Sequence, residues 1–491
     1  MKIVIDGVFF QLYRTGIARV WKSLLEEWAG TTFAERIVVL DRAGTAPKVP
    51  GIQYETIPFY DYSATDADRE MVQQVCDEVE ADLFISTYYT TPLLTPSVFM
   101  AYDMIPEVLG ANFNEPMWRE KHYGIRQASA YIAISENTAR DLVKFFPEAS
   151  LKSVIVAHCG VKDTFAPGTP EEVIKFKSQY GISKPYFIGV GIGSGYKNSV
   201  LFFKAFAQLC SRHGFEILCT GSGGLLPPDF RNCTSGVVVH MLQLSDDELK
   251  AAYSGAVALV YPSKYEGFGL PILEAMACSC PVITCPNSSI PEVAGQATLY
   301  VNDEDINGLT NALCEIQKTD IRALLTAAGI EQAKKFSWSK MATTVSSALI
   351  DATLLSLNLK EINLIIFPDW SVGEEALALE LKEILKAVVT HPEKNWMTLL
   401  VDTSNIFDED ASVILSSVTM NLFMQEDLDV ETEPEISLLS QIDKFQWSAL
   451  LPRIQTRITL NNENISVISE VGAENLPSCK VVNLAKTVFL R

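Results

Sequence analysis

The stretch YPSKYEGFGLPILEAMACSCPVITCPNSSIPEVAG, residues 261–295, decides how the chain is read. It continues the apolar run ALVYP and passes from a strand through a glycine-containing loop into a helix. Gly267 and Gly269 let backbone N–H groups approach a ligand closely, and Pro271 suits the first turn of the helix that follows. Ligand oxygens facing such a loop, with its Phe268 and Leu270, meet N–H donors and the positive end of a helix. Glu266 precedes the loop and Glu274 lies one turn into the helix, so the two carboxylates can reach different hydroxyls of one ligand. Taken alone this spacing is weak evidence, because a glutamate near a helix start often serves only the helix dipole.

Working outward, short apolar runs alternate with amphipathic stretches: KIVID, a helix from Gly16 to about Trp28, IVVL, DLFIS, VFMAY, and YIAIS followed by ENTARDLVKFF. Such alternation predicts a parallel sheet flanked by helices over residues 1–165. Residues 160–170, GVKDTFAPGTP, carry glycine and proline without helical period and read as a linker. The rhythm restarts with YFIGV, EILCT, VVVHM and ALVYP, which predicts a second parallel sheet over 180–340. A helix over 341–357 is expected to return towards the first domain. Residues 358–491 repeat the βα pattern with INLIIF, MTLLVD and ISLLS. The predicted fold class is therefore α/β, two Rossmann-like domains with a cleft between them plus a C-terminal α/β module.

Bulk composition excludes several functions. The net charge is −21, without the basic stripe that phosphate backbones require, so no nucleic-acid partner is expected. No apolar run approaches the roughly 18 residues of a membrane span. With an N-terminus that reads straight into a strand, the expectation is a cytoplasmic protein, at most peripheral to a membrane. Cys278, Cys280 and Cys285 lack paired metal-site spacing, and the five histidines, at 122, 158, 213, 240 and 391, form no ligand motif. Residues 361–491 hold 9 Lys and Arg against 21 Asp and Glu, a charge of −12, and the acidic run at 426–435 reads as an exposed loop.

The pattern E-G-F-G-L-P-x-L-E-A-M-A-C, with P-V-I and S-S-I-P-E-V-A-G after it, resembles the signature of the retaining glycosyltransferase family 4. The resemblance covers about residues 1–355. It implies the GT-B fold, a nucleotide-diphosphate sugar held between two Rossmann-like domains, and retention at the anomeric carbon. On this resemblance Glu266 touches the donor sugar and Glu274 the nucleotide ribose, while the nucleobase meets backbone near residues 241–244, including Leu242. The implied acceptor is a glycan, a lipid-linked sugar or a protein.

Three further segments carry the resemblance. GVGIGSGYKN, residues 189–198, is a glycine turn holding Gly193 and ending in Lys197, a point charge for the leaving diphosphate. It is similar to V-G-R-x-x-x-x-K-N, but Ile192 stands where the family has its second diphosphate cation. In DGVFFQLYRTGIARV the cap residues Thr15 and Gly16 point amides towards the cleft, whereas Arg14 and Arg19 read as ordinary surface charges. AYDMIPE ends a strand with Tyr102 and Asp103 where many members read H-D, which places both among the catalytic candidates with Glu266 and Lys197. Ser135 reads as a helix cap.

The reaction these segments imply is a front-face displacement in which the leaving diphosphate helps accept the acceptor's proton. No cofactor beyond the nucleotide sugar and no metal is expected, since Asp61 and Asp66–Asp68 lie in a stretch that reads as irregular. A catalytically decayed scaffold whose acidic module binds a partner, and a sugar-nucleotide epimerase on the same fold, are the competing readings.

Overall fold

The computed structural model describes every residue except 14, 152–153, 194, 222–223, 227, 373, 426–433, 485–486, 488 and 490–491. It comprises two compact units, one of residues 2–346 and one of Met1 with residues 347–491.

Apolar runs buried on both faces build the centre of the larger unit's first sheet, and its two edge strands are more exposed. Its strands are β1 (Ile3–Asp6), β2 (Ile37–Arg42), β3 (Gln53–Ile57), β4 (Leu83–Ser86), β5 (Ser97–Ala101), β6 (Ala130–Ala133) and β7 (Val154–Val156). They lie in the order β3-β2-β1-β4-β5-β6-β7, every pair parallel. The second sheet follows with β8 (Tyr186–Val190), β9 (Glu216–Thr220), β10 (Val239–Leu242), β11 (Leu259–Tyr261), β12 (Val282–Thr284) and β13 (Leu299–Tyr300). Its order is β10-β9-β8-β11-β12-β13. In each sheet the strand order reverses beside the first strand, at β1/β4 and at β8/β11. At such a switch point the connections leave in opposite directions, opening a crevice at the carboxyl ends of the strands.

Local chemistry fixes the helices between these strands. Ser135 Oγ accepts from Thr138 N at 3.0 Å and starts Glu136–Phe145 as a cap. Reciprocal capping boxes, Thr169 with Glu172 and Ser245 with Glu248, start Pro170–Tyr180 and Asp246–Gly255. The first turn of helix Trp338–Thr353 stays with the larger unit: Trp28 Nε1 donates to Ala342 O at 3.1 Å, and a Cβ on Gly160 would lie 2.1 Å from Trp338 N.

In the smaller unit, β14 (Ile362–Ile366), β15 (Met397–Asp402), β16 (Glu435–Leu439), β17 (Thr456–Thr459) and β18 (Ser478–Lys480) form a parallel sheet ordered β16-β15-β14-β17-β18. Alternate residues of β14 serve opposite faces, as strand geometry requires. Ile362, Leu364 and Ile366 join one core, and Ile365 and Phe367 join the other. Leu354 and Leu357 are part of that second core, so the unit begins before the boundary read at 358.

Two sequence expectations change. Asp66 and Asp68 are not in an irregular stretch but on helix Thr65–Glu78, where Asp68 is paired with the buried Arg42. The acidic run at 426–435 falls, through residue 433, outside the described residues, and Glu435 opens β16. Among the described residues no helix is long and apolar enough to cross a membrane.

Candidate functional site

The loop after β11 brings the two glutamates into the cleft between the two sheets of the larger unit. Gly269 adopts φ +107° as the cap of helix Leu270–Ala277, a conformation that favours glycine. A Cβ on Gly267 would lie 1.9 Å from Tyr102 O on the opposite wall, so only glycine permits this approach. Phe268 is buried against His158 and Phe336, with ring centres 6.0 and 5.7 Å away. Leu270 faces Gly16, whose Cβ would meet its side chain at 3.8 Å. Thr15 caps helix Gly16–Trp28 through its backbone, without a side-chain bond.

Lys197 leaves the turn after β8 and reaches the same place. Its Nζ donates to Glu266 Oε1 and Oε2 at 2.9 and 3.1 Å and to Tyr261 OH at 3.0 Å. Burial works against the charged amine, yet Tyr261 and Glu266 outweigh it and hold the ammonium above its usual range. The turn is set by Asn198, at φ +50°, whose Nδ2 donates to Pro262 O and Asp303 O. Gly193 N donates to Ser199 Oγ at 3.1 Å beside the lysine stem. Ile192 folds away from the cleft onto Gly189 and the core of the second sheet, so its side chain supplies nothing in place of a cation.

Glu274 is 4% exposed. Burial pushes its carboxyl up to about 7, against the pull of Arg19. Arg19 is not the ordinary surface charge that the sequence suggests: its guanidinium donates to Glu274 Oε1 and, at 2.7 Å, to Asp246 Oδ1. Arg14 lies outside the described residues.

Asp103 Oδ1 accepts from Ile105 N at 2.9 Å, and burial raises its carboxyl, with Lys121 opposing and Glu107 and Glu266 adding to the rise. A Cβ on Gly267 would lie 3.0 Å from Asp103 Cβ, so Asp103 borders the loop that follows Glu266. Tyr102 contributes its carbonyl there and not its phenol, which is 4% exposed, accepts from Trp21 Nε1 and donates to Thr87 O at 2.9 Å. Leu242 ends β10, half-buried.

Glu292, within SSIPEVAG, is a residue that the sequence alone does not mark. Its carboxylate accepts from Glu136 N at 2.8 Å, Asn137 N at 3.0 Å and His158 Nε2 at 3.2 Å. These bonds outweigh burial and hold it below the usual carboxylate range. The carboxylate thus sits on the N-terminus of helix Glu136–Phe145, joining the second Rossmann half to the first.

Two Rossmann sheets facing one cleft, with a glycine loop from one wall pressed on a carbonyl of the other, define a protein of the GT-B class. Residues 184–319 match the family model described as glycosyl transferases group 1. Sucrose-phosphate synthase from Thermosynechococcus elongatus shares the fold over 70% of this chain and 97% of its own, at 17% identity and TM-score 0.57. HepE of Anabaena, solved with UDP-glucose, does so over 72% and 100%, at 15% identity and TM-score 0.57. The O-antigen chain mannosyltransferase B of Escherichia coli is 27% identical over 241 residues, 47% of this chain. The chain spans 63% of that relative's length, under two thirds.

Proposed function

We propose that the chain transfers a hexose, with retention, from a nucleotide-diphosphate sugar to a glycan acceptor. The observation that carries this reading is the ion pair of Lys197 with Glu266, beside the loop that meets Tyr102 and Asp103 of the opposite wall and leads into the helix bearing Glu274. The name of the E. coli relative favours a mannosyl donor and a polysaccharide acceptor, and HepE, which shares the fold, was solved in complex with UDP-glucose, which supports a nucleotide hexose as donor. In this reading Glu274 takes the ribose hydroxyls, Glu266 orients the sugar, and Lys197 leaves Glu266 to meet the diphosphate. The acceptor oxygen forms its bond to the anomeric carbon as the bond to the diphosphate breaks, and the acceptor proton passes to the departing phosphate oxygen. Lys197, the amides near Gly16 and the 267–269 loop stabilise the charge that develops there, so no metal is required. We place the reaction in the cytoplasm.

A decayed scaffold is the second reading, favoured by one observation: Ile192, partly buried, packs against the core of the second sheet where the resemblance expects a cation. Incubation with a panel of UDP-, GDP- and ADP-hexoses, read by released nucleotide with and without EDTA, separates the two. Slow hydrolysis of one donor, unaffected by EDTA, supports the transferase. No turnover of any donor, with and without glycan acceptors, supports the scaffold.

A further inference from the structure

The first sheet carries a second concave feature on the edge that faces the cleft. Beyond the carboxyl end of β3 the chain reads PFYDYSAT, and Gln11 pins it, donating through Nε2 to Tyr60 O at 2.9 Å and accepting from Tyr60 N at 2.7 Å. This loop, helix Thr65–Glu78 and helix Pro116–Gln127 line an open cavity of about 460 Å³ whose walls include Tyr62, Thr65, Arg69, Arg119, Glu120 and Tyr123. That volume lies in the range of small-ligand sites.

The lining is aromatic, polar and charge-balanced. Arg69 and Arg119 face Asp66 and Glu120, two cations against two anions. Arg69, 8% exposed, donates to Asp66 and, at 2.6 Å, to Glu120, and its guanidinium lies 4.1 Å from the centre of the Tyr123 ring. Two buried polar atoms of these walls, Tyr62 Oη and Arg69 Nε, have no hydrogen-bond partner among the described residues; nor has Tyr60 Oη, on the ring packed edge-on against Tyr62 at 4.9 Å. Unpaired buried donors are costly unless a ligand or water completes them.

Aromatic residues connect this cavity with the reacting centre. Phe9 follows β1 and Tyr88 follows β4; their rings lie 5.1 Å apart, and Tyr13 packs on both at 5.4 and 6.3 Å. Burial raises the Tyr62 phenol, with the charges of Tyr88, Tyr60 and Tyr13 adding to the rise, and burial likewise raises Tyr88, with Asp103 adding to it. Strands β3 and β5 stand four spacings apart in the sheet, on the order of 19 Å, a span for several linked sugar rings and not for one.

We propose that the cavity behind Tyr62 is a distal acceptor subsite, which holds a neutral pyranose of an oligosaccharide several rings away from the hydroxyl that is glycosylated. The inference rests on the transferase reading given above and adds the acceptor's length and charge. A pyranose offers apolar C–H faces to Tyr62 and Tyr123 and hydroxyls to Tyr62 Oη, Arg69 Nε and Glu120. An anionic group finds no net positive charge there.

Calorimetric titration of the whole protein with α-linked manno- and gluco-trisaccharides and the matching methyl monosaccharides tests the subsite without catalysis. One trisaccharide should bind at least about tenfold tighter than its monosaccharide, and Tyr62→Ala should remove that difference. Tyr62→Phe, which keeps the ring and the fold, should lose only part of it. Equal binding of every trisaccharide and its monosaccharide by the wild type, or a length preference that survives Tyr62→Ala, overturns the subsite. Absence of donor turnover in the wild type overturns the transferase reading while leaving the titration intact.

Discussion

Arg19 and Glu274 form an ion pair across the cleft, the guanidinium from the first long helix of one Rossmann half and the carboxylate from the loop–helix element of the other. Glu274 is the residue proposed to bind ribose, so the nucleotide must share or displace Arg19. A hydrogen bond to a buried charged group is worth about 1.5–3 kcal/mol, or roughly 10–150-fold in binding. Glu274→Gln should therefore raise the dissociation constant for the donor nucleotide by that factor with a smaller change in turnover of bound donor. Titration of nucleotide, with kcat measured at saturating donor, decides it; unchanged affinity would remove the ribose assignment.

The same carboxyl gives a pH dependence. Its folded value, about 7, lies above the usual 4.5, so between those values the folded chain binds more protons than the unfolded one. Its contribution to stability is thus most favourable at low pH and declines as pH rises through about 7. Donor affinity should run the other way, strengthening from pH 6 to 8 as the acceptor becomes ionised. Glu274→Gln should flatten both profiles, measured by thermal unfolding and nucleotide titration across that range. A profile identical to wild type would assign the titration to another group.

Lys197 should act on the rate more than on binding. Charge on the diphosphate is greater in the transition state than in the bound donor, and removing one preorganised electrostatic partner costs about 10²–10³ in turnover. Lys197→Ala should lower kcat by that order while donor KM changes less. Glu266→Gln should also depress kcat, because Glu266 is the residue proposed to orient the sugar and it accepts from Lys197. A Lys197→Ala enzyme with wild-type kcat would sink the electrostatic account.

Much of this fold was legible because its information is local. The runs KIVID, YFIGV and INLIIF are buried on both sheet faces, and a parallel strand covered by helices reads as continuous apolar sequence. QYETI escaped because β3 is an edge strand with one buried residue in five, and TRIT and SCK because each is short and partly polar. Side-chain pairing is not local. Arg19 and Glu274 are 255 positions apart, and nothing in the period of helix Gly16–Trp28 marks Arg19 as pointing at a carboxylate. Tyr102 shows the converse: its place in the motif was readable, but its direction was set by Trp21 and Thr87, which the motif does not contain.

Gly267 should be intolerant of any side chain. The Cβ of alanine would sit 1.9 Å from Tyr102 O, a backbone atom that cannot rotate aside. Gly267→Ala should separate the loop from the opposite wall and disturb Thr138 Oγ1, which donates to Gly267 O at 3.3 Å. Transfer should fall by at least about tenfold. Nucleotide affinity should change less, because Glu274 lies on a separate turn. Wild-type transfer by a folded Gly267→Ala protein would show that this close approach is dispensable.

The smaller unit should fold without the larger one. Its sheet carries a core on each face, one built on Leu364, Leu399 and Leu422 and the other on Leu354, Ile365 and Leu400, and both cores are made of the unit's own residues. The division falls within helix Trp338–Thr353, at 346/347, while Leu354 and Leu357 already belong to the second core. A cut just before Leu354 therefore keeps both cores whole, whereas a cut at 358 removes two buried leucines, and losing even one typically costs about 2–5 kcal/mol. Residues 354–491 expressed alone should unfold in one cooperative transition, and a fragment starting at 358 should melt at lower temperature or aggregate. The complementary fragment, 1–353, retains Lys197, Glu266, Glu274 and Asp103. We expect it to keep donor hydrolysis while transfer to the oligosaccharide acceptor becomes less efficient, with the acidic unit governing acceptor or partner choice. Loss of nucleotide binding by 1–353 would instead make the smaller unit a structural part of the donor site, and unimpaired transfer would leave it without a role in acceptor choice.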